Sequence, residues 1–348
     1  MRALCLILVV LAFLALSAVA VAAEEGASQQ AAAEQPFGIA LEGFPYPYPV
    51  HILPIVHQGE TLRMAYMDVA PKGEPNGRTM LLLHGRNFPA SYWQSLIEKL
   101  SASGYRVVAP DQIGFNKSSK PAFDLHFDQL ARNTAALLDA LKIDKVAIVG
   151  HSMGGMLTVR FTRMYPERVE RIVLDAPIGL EDYRLYVPQI PAERLMEIED
   201  KVTPESYVDQ LIKGYGLTLS PEALAPYVAA RTRIKGSAEY PRWLRTFVNS
   251  AEMIWREPVA HEIPLLTQNV LFVMGGNDHL APGRDFAPEE LRGKMGQNAE
   301  LAQALAAKMP RARVEVFEGI GHLPHLEAPE RFNDVVLRFL NEAEWVVL

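Results

Sequence analysis

A G-x-S-x-G pentapeptide at residues 150–154 constrains the fold of this chain more than any other feature. The apolar run 145–149 before it has the length of a strand, and residues 155–161 after it have a helical pattern. A strand that turns into a helix within one residue strains the backbone at the serine, and the flanking glycines let strand and helix approach closely. We therefore expect Ser152 to be a nucleophile at the carboxyl end of the strand. The alternative is a solvated serine in a glycine-rich turn.

A serine hydroxyl is a poor nucleophile at neutral pH, so this interpretation requires a base that can take its proton. The segment 319–330 follows the last strand-like run and contains two histidines. A histidine in such a loop can reach over the end of a neighbouring strand, and His322 is the predicted base. His325, three residues on and near the start of the final helix, is the alternative.

The base in turn needs an acid that orients its ring. Asp278 follows the strand-like run 269–274 and a glycine turn, which puts the acid between nucleophile and base along the chain. Asp175, at the end of the strand after the nucleophile strand, is an alternative. Asp175 could instead simply cap that strand end.

Strand-like and helix-like runs alternate along most of the chain, which predicts an α/β fold with a mostly parallel sheet and helices on both faces. The runs 51–56 and 62–67 are expected to form an antiparallel hairpin at the edge of the sheet. The remaining predicted strands are 79–83, 106–109, 145–149, 169–174, 269–274 and 313–317. The predicted helices include 91–103, 128–141, 298–308 and 329–341.

The alternation stops after Pro177 for roughly eighty residues, far longer than an ordinary connection between strands. Prolines divide this stretch into amphipathic helical pieces. We therefore predict a helical cap at 179–262, inserted between two parts of one core domain at 46–178 and 263–348. The cap is expected to control substrate choice without supplying catalytic residues. Its tryptophans and tyrosines are expected to pack against the core rather than to contact substrate.

The first 23 residues have the pattern of a secretory signal peptide. Arg2 supplies the positive end, an apolar run follows, and small residues precede Glu24. Cleavage after residue 20, 22 or 23 predicts an exported protein, periplasmic or secreted, with no stable membrane association of the mature chain. The competing interpretation is an uncleaved anchor, since the run is just long enough to cross a bilayer. Residues 24–45 are predicted to be a flexible linker.

Charge and composition narrow the choice of partners. The net charge is −7, or −8 once Arg2 is removed, and no basic run stands out. These features argue against nucleic acid and anionic membrane surfaces, so a small-molecule substrate is expected. Cys5 is the only cysteine and lies in the predicted leader, so no disulfide or thiol chemistry is expected. None of these features indicates an oligomeric state.

The sequence also predicts neither a metal nor a cofactor. His261 and Glu262 lack the second histidine of an H-E-x-x-H zinc motif. No cofactor fingerprint follows any of the predicted strands. The expected chemistry therefore depends on side chains and backbone groups alone.

Taken together, these segments resemble the α/β-hydrolase superfamily, in its serine-nucleophile branch, over nearly all of the chain after residue 50. His84-Gly85 is similar to the oxyanion loop of that family, and 111–118 is similar to its D-x-x-G-x-x-x-S segment. Residues 321–322 and 327–330 are similar to its histidine loop. The resemblance implies an α/β-hydrolase fold with an inserted cap.

The resemblance also implies acyl transfer to water through Ser152, His322 and Asp278, with hydrolysis of carboxylic esters as the expected activity. Backbone N–H groups of Met153 and Arg86 are expected to form the oxyanion hole, which holds the negative oxygen of the tetrahedral intermediate. The side chain of Arg86 is expected to be solvated or structurally paired, and the alternative is contact with an anionic group of the substrate.

Other members of the superfamily supply the alternatives. Epoxide hydrolases and haloalkane dehalogenases carry an aspartate where Ser152 stands, which disfavours both. The run 115–118 resembles carbon–carbon bond hydrolases of ring-fission products, but His151 and Leu323 depart from their pattern. Carbon–carbon hydrolysis, lactone hydrolysis and cofactor-free perhydrolysis remain alternatives that use the same triad. A binding protein on a hydrolase scaffold is a further alternative.

Overall fold

The computed structural model describes residues 35–342. Its eight strands are β1 (Val50–His57), β2 (Glu60–Val69), β3 (Thr79–Leu83), β4 (Arg106–Pro110), β5 (Val146–His151), β6 (Val169–Asp175), β7 (Asn269–Gly275) and β8 (Ala312–Phe317). They form one sheet in the order β1-β2-β4-β3-β5-β6-β7-β8. β1 pairs antiparallel with β2, β2 pairs antiparallel with β4, and all other neighbours are parallel, which confirms the predicted sheet and its edge hairpin.

Helices cover both faces of this sheet. They are α1 (Gln94–Ala102), α2 (Phe127–Ala140), α3 (Met153–Met164), α4 (Ala192–Asp200), α5 (Pro204–Asp209), α6 (Pro221–Thr232), α7 (Tyr240–Arg256), α8 (Glu289–Arg292), α9 (Asn298–Ala306), α10 (Pro324–Glu327) and α11 (Pro329–Asn341). Successive side chains of a strand point to opposite faces. In β3, Leu81 and Leu83 join the cluster packed under α2, α3 and α9, whereas Met80 and Leu82 join the cluster packed under α1 and α11.

The predicted helical cap is present, because α4 to α7 all lie between β6 and β7. Pro204 and Pro221 stand in the first turns of α5 and α6, where a missing N–H costs no helical hydrogen bond. Aromatic side chains also pack within the cap. The rings of Trp243 and Phe247 on α7 stack with centroids 4.8 Å apart.

The predicted signal peptide lies outside the described residues, as does the first part of the predicted linker 24–45. The described part of that linker differs from a free spacer, because Phe37, Leu41 and Phe44 are buried with Ala230 of the cap. The rings of Phe37 and Phe44 meet edge to face at 5.8 Å. Burial of these apolar side chains stabilises the contact between this segment and the cap.

Within residues 35–342, no helix combines the length and apolar composition needed to cross a bilayer.

Candidate active site

Ser152 occupies the turn between β5 and α3. Its φ is 55° and its ψ is −118°, a backbone conformation that is rare for a residue with a side chain. The flanking glycines make this turn possible. A Cβ on Gly154 would lie 2.2 Å from the carbonyl oxygen of Leu83, and a Cβ on Gly150 would lie 2.1 Å from Oγ1 of Thr158. The strained turn predicted around Ser152 is therefore present.

The structure brings Ser152, His322 and Asp278 together at the carboxyl end of the sheet. Nε2 of His322 lies 2.9 Å from Oγ of Ser152, and Nδ1 of His322 lies 2.8 Å from Oδ2 of Asp278. All three residues are buried, with exposures of 6%, 1% and 1% in the order Ser152, Asp278, His322. The arrangement joins a nucleophile, a base and an orienting acid.

The hydrogen bond from His322 to Asp278 indicates which ring nitrogen of His322 carries the proton. Oδ2 of Asp278 accepts a hydrogen bond from Nδ1–H of His322, so Nε2 is left to accept the proton of Ser152. Oδ1 of Asp278 accepts from the backbone N–H of Leu280 at 3.0 Å. The carboxylate is thereby held in the orientation that keeps the ring in its productive tautomer.

The two predicted oxyanion donors flank Ser152. Met153 is the first residue of α3, where backbone N–H groups have no partner within the helix. Arg86 follows Gly85, and a Cβ on Gly85 would lie 3.2 Å from Cβ of Ser152, so this turn passes directly over the nucleophile. His84 holds the turn from beneath, because its Nε2 accepts from the backbone N–H of Gln112 at 2.9 Å.

His151 connects the turn at Gly85 to His322 through hydrogen bonds, a contact that its place in the pentapeptide did not reveal. Its Nε2 lies 2.8 Å from the carbonyl oxygen of His322, which can only accept, so Nε2 donates. Its Nδ1 therefore accepts from the hydroxyl of Tyr92 at 3.0 Å, and that hydroxyl accepts from the N–H of Gly85 at 2.9 Å. Burial and the neighbouring His325 and His322 lower the pKa of His151, consistent with a neutral ring.

The two alternative residues, His325 and Asp175, pair with each other. Nδ1 of His325 lies 2.6 Å from Oδ2 of Asp175, and both side chains are buried. Burial raises the pKa of the Asp175 carboxyl. Neither residue contacts Ser152 through a side-chain hydrogen bond, so the described part of the chain contains a second histidine–aspartate pair behind the triad. The sequence favoured His322 and Asp278 for the triad but did not predict that the two alternative residues pair with each other.

His151, Asp175 and His325 could each offer a ligand atom to a metal, since these atoms lie within 4.8 Å of one another. Both ring nitrogens of His151 already have protein partners. The short hydrogen bond between His325 and Asp175 occupies a further ligand atom on each side. This donor set fits a hydrogen-bonded cluster better than a metal site.

The cap contacts His322, which the sequence did not predict. The carbonyl oxygen of Tyr215, just before α6, accepts from the backbone N–H of His322 at 2.9 Å, and the two rings meet edge to face at 5.1 Å. A Cβ on Gly216 would lie 2.3 Å from the carbonyl oxygen of Asn277, beside the acid. A Cβ on Gly321 would lie 2.4 Å from the carbonyl oxygen of Gly216. The cap supplies no triad side chain, but its segment 215–218 supports two triad loops.

Cap and core together enclose a cavity of about 420 Å³ over Ser152. Ser152, His322 and Arg86 line it from the core, and α4 and α7 line it from the cap. The guanidinium of Arg86 makes two hydrogen bonds to neutral groups. Its Nε donates to Oγ of Ser250 at 2.8 Å, and one Nη donates to the carbonyl oxygen of Phe247 at 2.9 Å.

The chain is similar to a protein family and to individual bacterial proteins. A family model described as alpha/beta hydrolase fold matches residues 78–329. The crystal structure of a probable hydrolytic enzyme from Pseudomonas aeruginosa has a TM-score of 0.85 and 40% identity, covering 89% of this chain and 100% of that one. An uncharacterised protein of Mycobacterium tuberculosis is 29% identical over 284 residues, 77% of each protein. A 2-hydroxy-6-oxo-6-phenylhexa-2,4-dienoate hydrolase of Burkholderia cepacia is 28% identical over 272 residues, 76% of this chain and 88% of that protein.

Proposed function

This chain belongs to the alpha/beta hydrolase fold family, and we propose that it cleaves carboxylic esters through an acyl-enzyme on Ser152. The observation that carries the proposal is the unbroken contact from Oγ of Ser152 through His322 to Asp278, at 2.9 and 2.8 Å. A protein that only binds ligands has no need of this arrangement. Hydrolysis of small molecules is the activity that the family and the enclosed cavity support.

In the first half of the proposed reaction, Oγ of Ser152 attacks the carbonyl carbon of the ester while Nε2 of His322 takes the hydroxyl proton. Asp278 stabilises the resulting imidazolium through Nδ1 and does not itself take up the proton. The tetrahedral intermediate collapses when His322 returns the proton to the leaving alcohol. An acyl group then remains on Ser152.

The second half repeats this sequence with water. Water attacks the acyl carbon as His322 takes one of its protons, and the acid product leaves when the proton returns to Ser152. In both halves the negative oxygen is held by the N–H groups of Met153 and Arg86. One such donor commonly contributes about 3 kcal/mol to the stability of the transition state.

Carbon–carbon bond hydrolysis is the second candidate. The run 115–118 resembles such enzymes, and the Burkholderia cepacia relative is named as one. Against it stand His151 and Leu323, where that class usually has other residues. The same triad serves both reactions, so a test with both kinds of substrate must distinguish them.

The test uses organophosphonate labelling and short 4-nitrophenyl esters. Purified protein should be labelled stoichiometrically at Ser152 and should release 4-nitrophenolate. Ser152→Ala should lose labelling and lower kcat by at least about 10⁴-fold, because no other group can form the acyl-enzyme. The matched control is Ser103→Ala, which removes an exposed hydroxyl at the end of α1.

Labelling of Ser152 without turnover of any ester would favour carbon–carbon hydrolysis, and a vinylogous 1,5-diketone would then be the next substrate. A folded protein that the phosphonate never labels would overturn both candidates. Circular dichroism of each variant establishes that the fold is intact.

The proposal includes export, which the pattern of residues 1–23 supports. Protein recovered from a periplasmic or secreted fraction should begin between Val21 and Glu24. Met1 retained in a membrane fraction would indicate an anchor instead.

A further inference from the structure

We propose that the guanidinium of Arg86 selects substrates that carry a carboxylate, so that the natural ester is an anion. This inference deepens the proposed function and rests on it. It concerns the side chain of Arg86, which is distinct from the backbone N–H assigned to the oxyanion hole.

Arg86 is a cation that no carboxylate neutralises by contact. Its hydrogen-bond partners are the hydroxyl of Ser250 and the carbonyl of Phe247, both of which are neutral. Within residues 35–342 no acidic oxygen lies within 4.0 Å of the guanidinium, and one of its terminal nitrogens makes no hydrogen bond. Burial lowers the pKa of Arg86 to about 10, so the group is still charged at neutral pH.

A neighbouring acid, Glu199, is already paired. Glu199 of α4 forms an ion pair with Arg231 of α6. The guanidinium carbons of Arg86 and Arg231 lie 3.6 and 3.9 Å from the centre of the Phe247 ring. Glu199 is therefore bonded to Arg231, and Arg86 packs on the same ring without a carboxylate in contact.

The charged side chains that line the cavity do not single out Arg86 by their sum. They are three arginines and three acids, so their formal charges cancel: Arg86, Arg256, Arg284, Glu199, Glu252 and Asp285. A partly buried charge without a contacting counter-ion favours a ligand that supplies one. The lack of a contacting carboxylate at Arg86 thus favours a substrate with a negative group.

The position of Arg86 suits this role. The residue lies in the turn over Ser152, and its guanidinium reaches α7 of the cap, so it borders the cavity that contains the nucleophile. Asn87, the next residue, donates its Nδ2–H to the hydroxyl oxygen of Tyr215. The proton of that hydroxyl is then free to be donated to a ligand oxygen. A carboxylate near Arg86 would gain a charged donor and a neutral donor together.

The test compares esters that differ only in charge. One pair is mono-4-nitrophenyl adipate and its methyl ester, in which the acyl part carries the charge. The other pair is 4-butyryloxybenzoate and its methyl ester, in which the alcohol part carries it. In at least one pair, kcat/KM of the natural protein should favour the anion by roughly tenfold or more, since hydrogen bonds to charged groups have effects of that size.

Three variants isolate the side chain. Arg86→Met should abolish the preference for the anion, and Arg86→Lys should retain part of it because it retains the charge. Any disturbance of the backbone N–H of residue 86 affects both members of a pair equally, so the ratio reports the guanidinium alone. Glu199→Gln should leave the preference in place or increase it, since it removes the competing carboxylate.

Two results would overturn the inference: equal or higher kcat/KM for the neutral ester in both pairs, or a preference that persists in Arg86→Met. A second measurement is independent of turnover. Adipate should bind to Ser152→Ala in a calorimetric titration and should bind at least about tenfold more weakly to Ser152→Ala with Arg86→Met. Adipate binding without hydrolysis of any ester would retain the anion site and reject the esterase proposal. Hydrolysis of neutral esters without an anion preference would retain the esterase proposal and reject the anion site.

Discussion

At the scale of single residues, two buried histidine–aspartate pairs lie side by side, and only one reaches the nucleophile. His322 contacts Ser152 and Asp278, whereas His325 contacts Asp175 and has no hydrogen-bond partner on its Nε2 within the described residues. The rings of Tyr92, Trp93 and His151 surround His325. The second pair is therefore part of the packing under the site.

Substituting each aspartate by asparagine should separate these roles. Asp278→Asn should lower kcat by about 10⁴-fold, because the amide favours the wrong tautomer of His322, as in the serine-protease precedent. Asp175→Asn should change kcat by less than about tenfold and should change mainly the free energy of unfolding, since it alters a buried hydrogen bond. Steady-state kinetics and urea denaturation measure the two effects. A large loss of kcat with Asp175→Asn and a small loss with Asp278→Asn would move the acid to Asp175.

At the scale of elements, α10 connects the cap to the catalytic histidine through one carboxylate. Glu327 accepts hydrogen bonds from the backbone N–H groups of Gly321 and Leu323, which flank His322, at 3.1 and 3.2 Å. It also accepts from the N–H and hydroxyl of Thr218 in the cap, at 2.8 and 2.9 Å. The carboxylate of Glu327 therefore bonds both the loop of His322 and the cap. Removal of the cap would therefore disturb the triad.

Glu327→Gln should slow the phosphonate labelling of Ser152 and lower kcat by roughly 10-fold to 100-fold. The amide replaces one acceptor oxygen with a donor that faces other donors, which leaves N–H groups beside His322 unsatisfied. The matched control is Glu330→Gln, three residues on and exposed, which should behave like the natural protein. A purely structural role would lower the melting temperature and leave the labelling rate of the folded protein unchanged, which would contradict the positioning role.

At the scale of the whole molecule, the loop 111–121 joins the N-terminal segment, the core and the cap. Asp111 accepts from the hydroxyl of Tyr46 at 2.6 Å, and the carbonyl oxygen of Lys120 accepts from Nε of Arg242 on α7 at 2.7 Å. The ammonium of Lys120 is buried and donates to the carbonyl oxygens of Asn116 and Ser118. Burial lowers the pKa of Lys120 to about 7.

This lysine should make global stability depend on pH. Its pKa is about 10.4 in the unfolded chain, so between about pH 7 and pH 10 the unfolded state binds more protons than the folded state. The free energy of unfolding therefore rises with pH through that window, by an amount on the order of a few kcal/mol. Lys120→Met should lose this rise, whereas Lys308→Met, at an exposed position, should keep it. Urea denaturation at pH 7, 8.5 and 10 measures the effect, and identical slopes for the two variants would show that Lys120 is charged in the folded protein.

Features that depend on neighbouring residues could be predicted from the sequence. The alternation of apolar runs indicated the parallel sheet, and the glycines around Ser152 indicated a turn that only a strand followed by a helix requires. The proximity of Ser152, Asp278 and His322 could also be predicted. Each follows a predicted strand, and parallel strands bring their carboxyl ends to one edge of the sheet.

Features that depend on residues distant in the chain could not be predicted in this way. Tyr215 meets His322, Arg86 meets Phe247, and Phe37 packs against the cap, across separations of about one hundred to two hundred residues. Each of these contacts depends on how the cap settles on the core, and that packing is determined by the shapes and burial of many side chains at once, which no local pattern records.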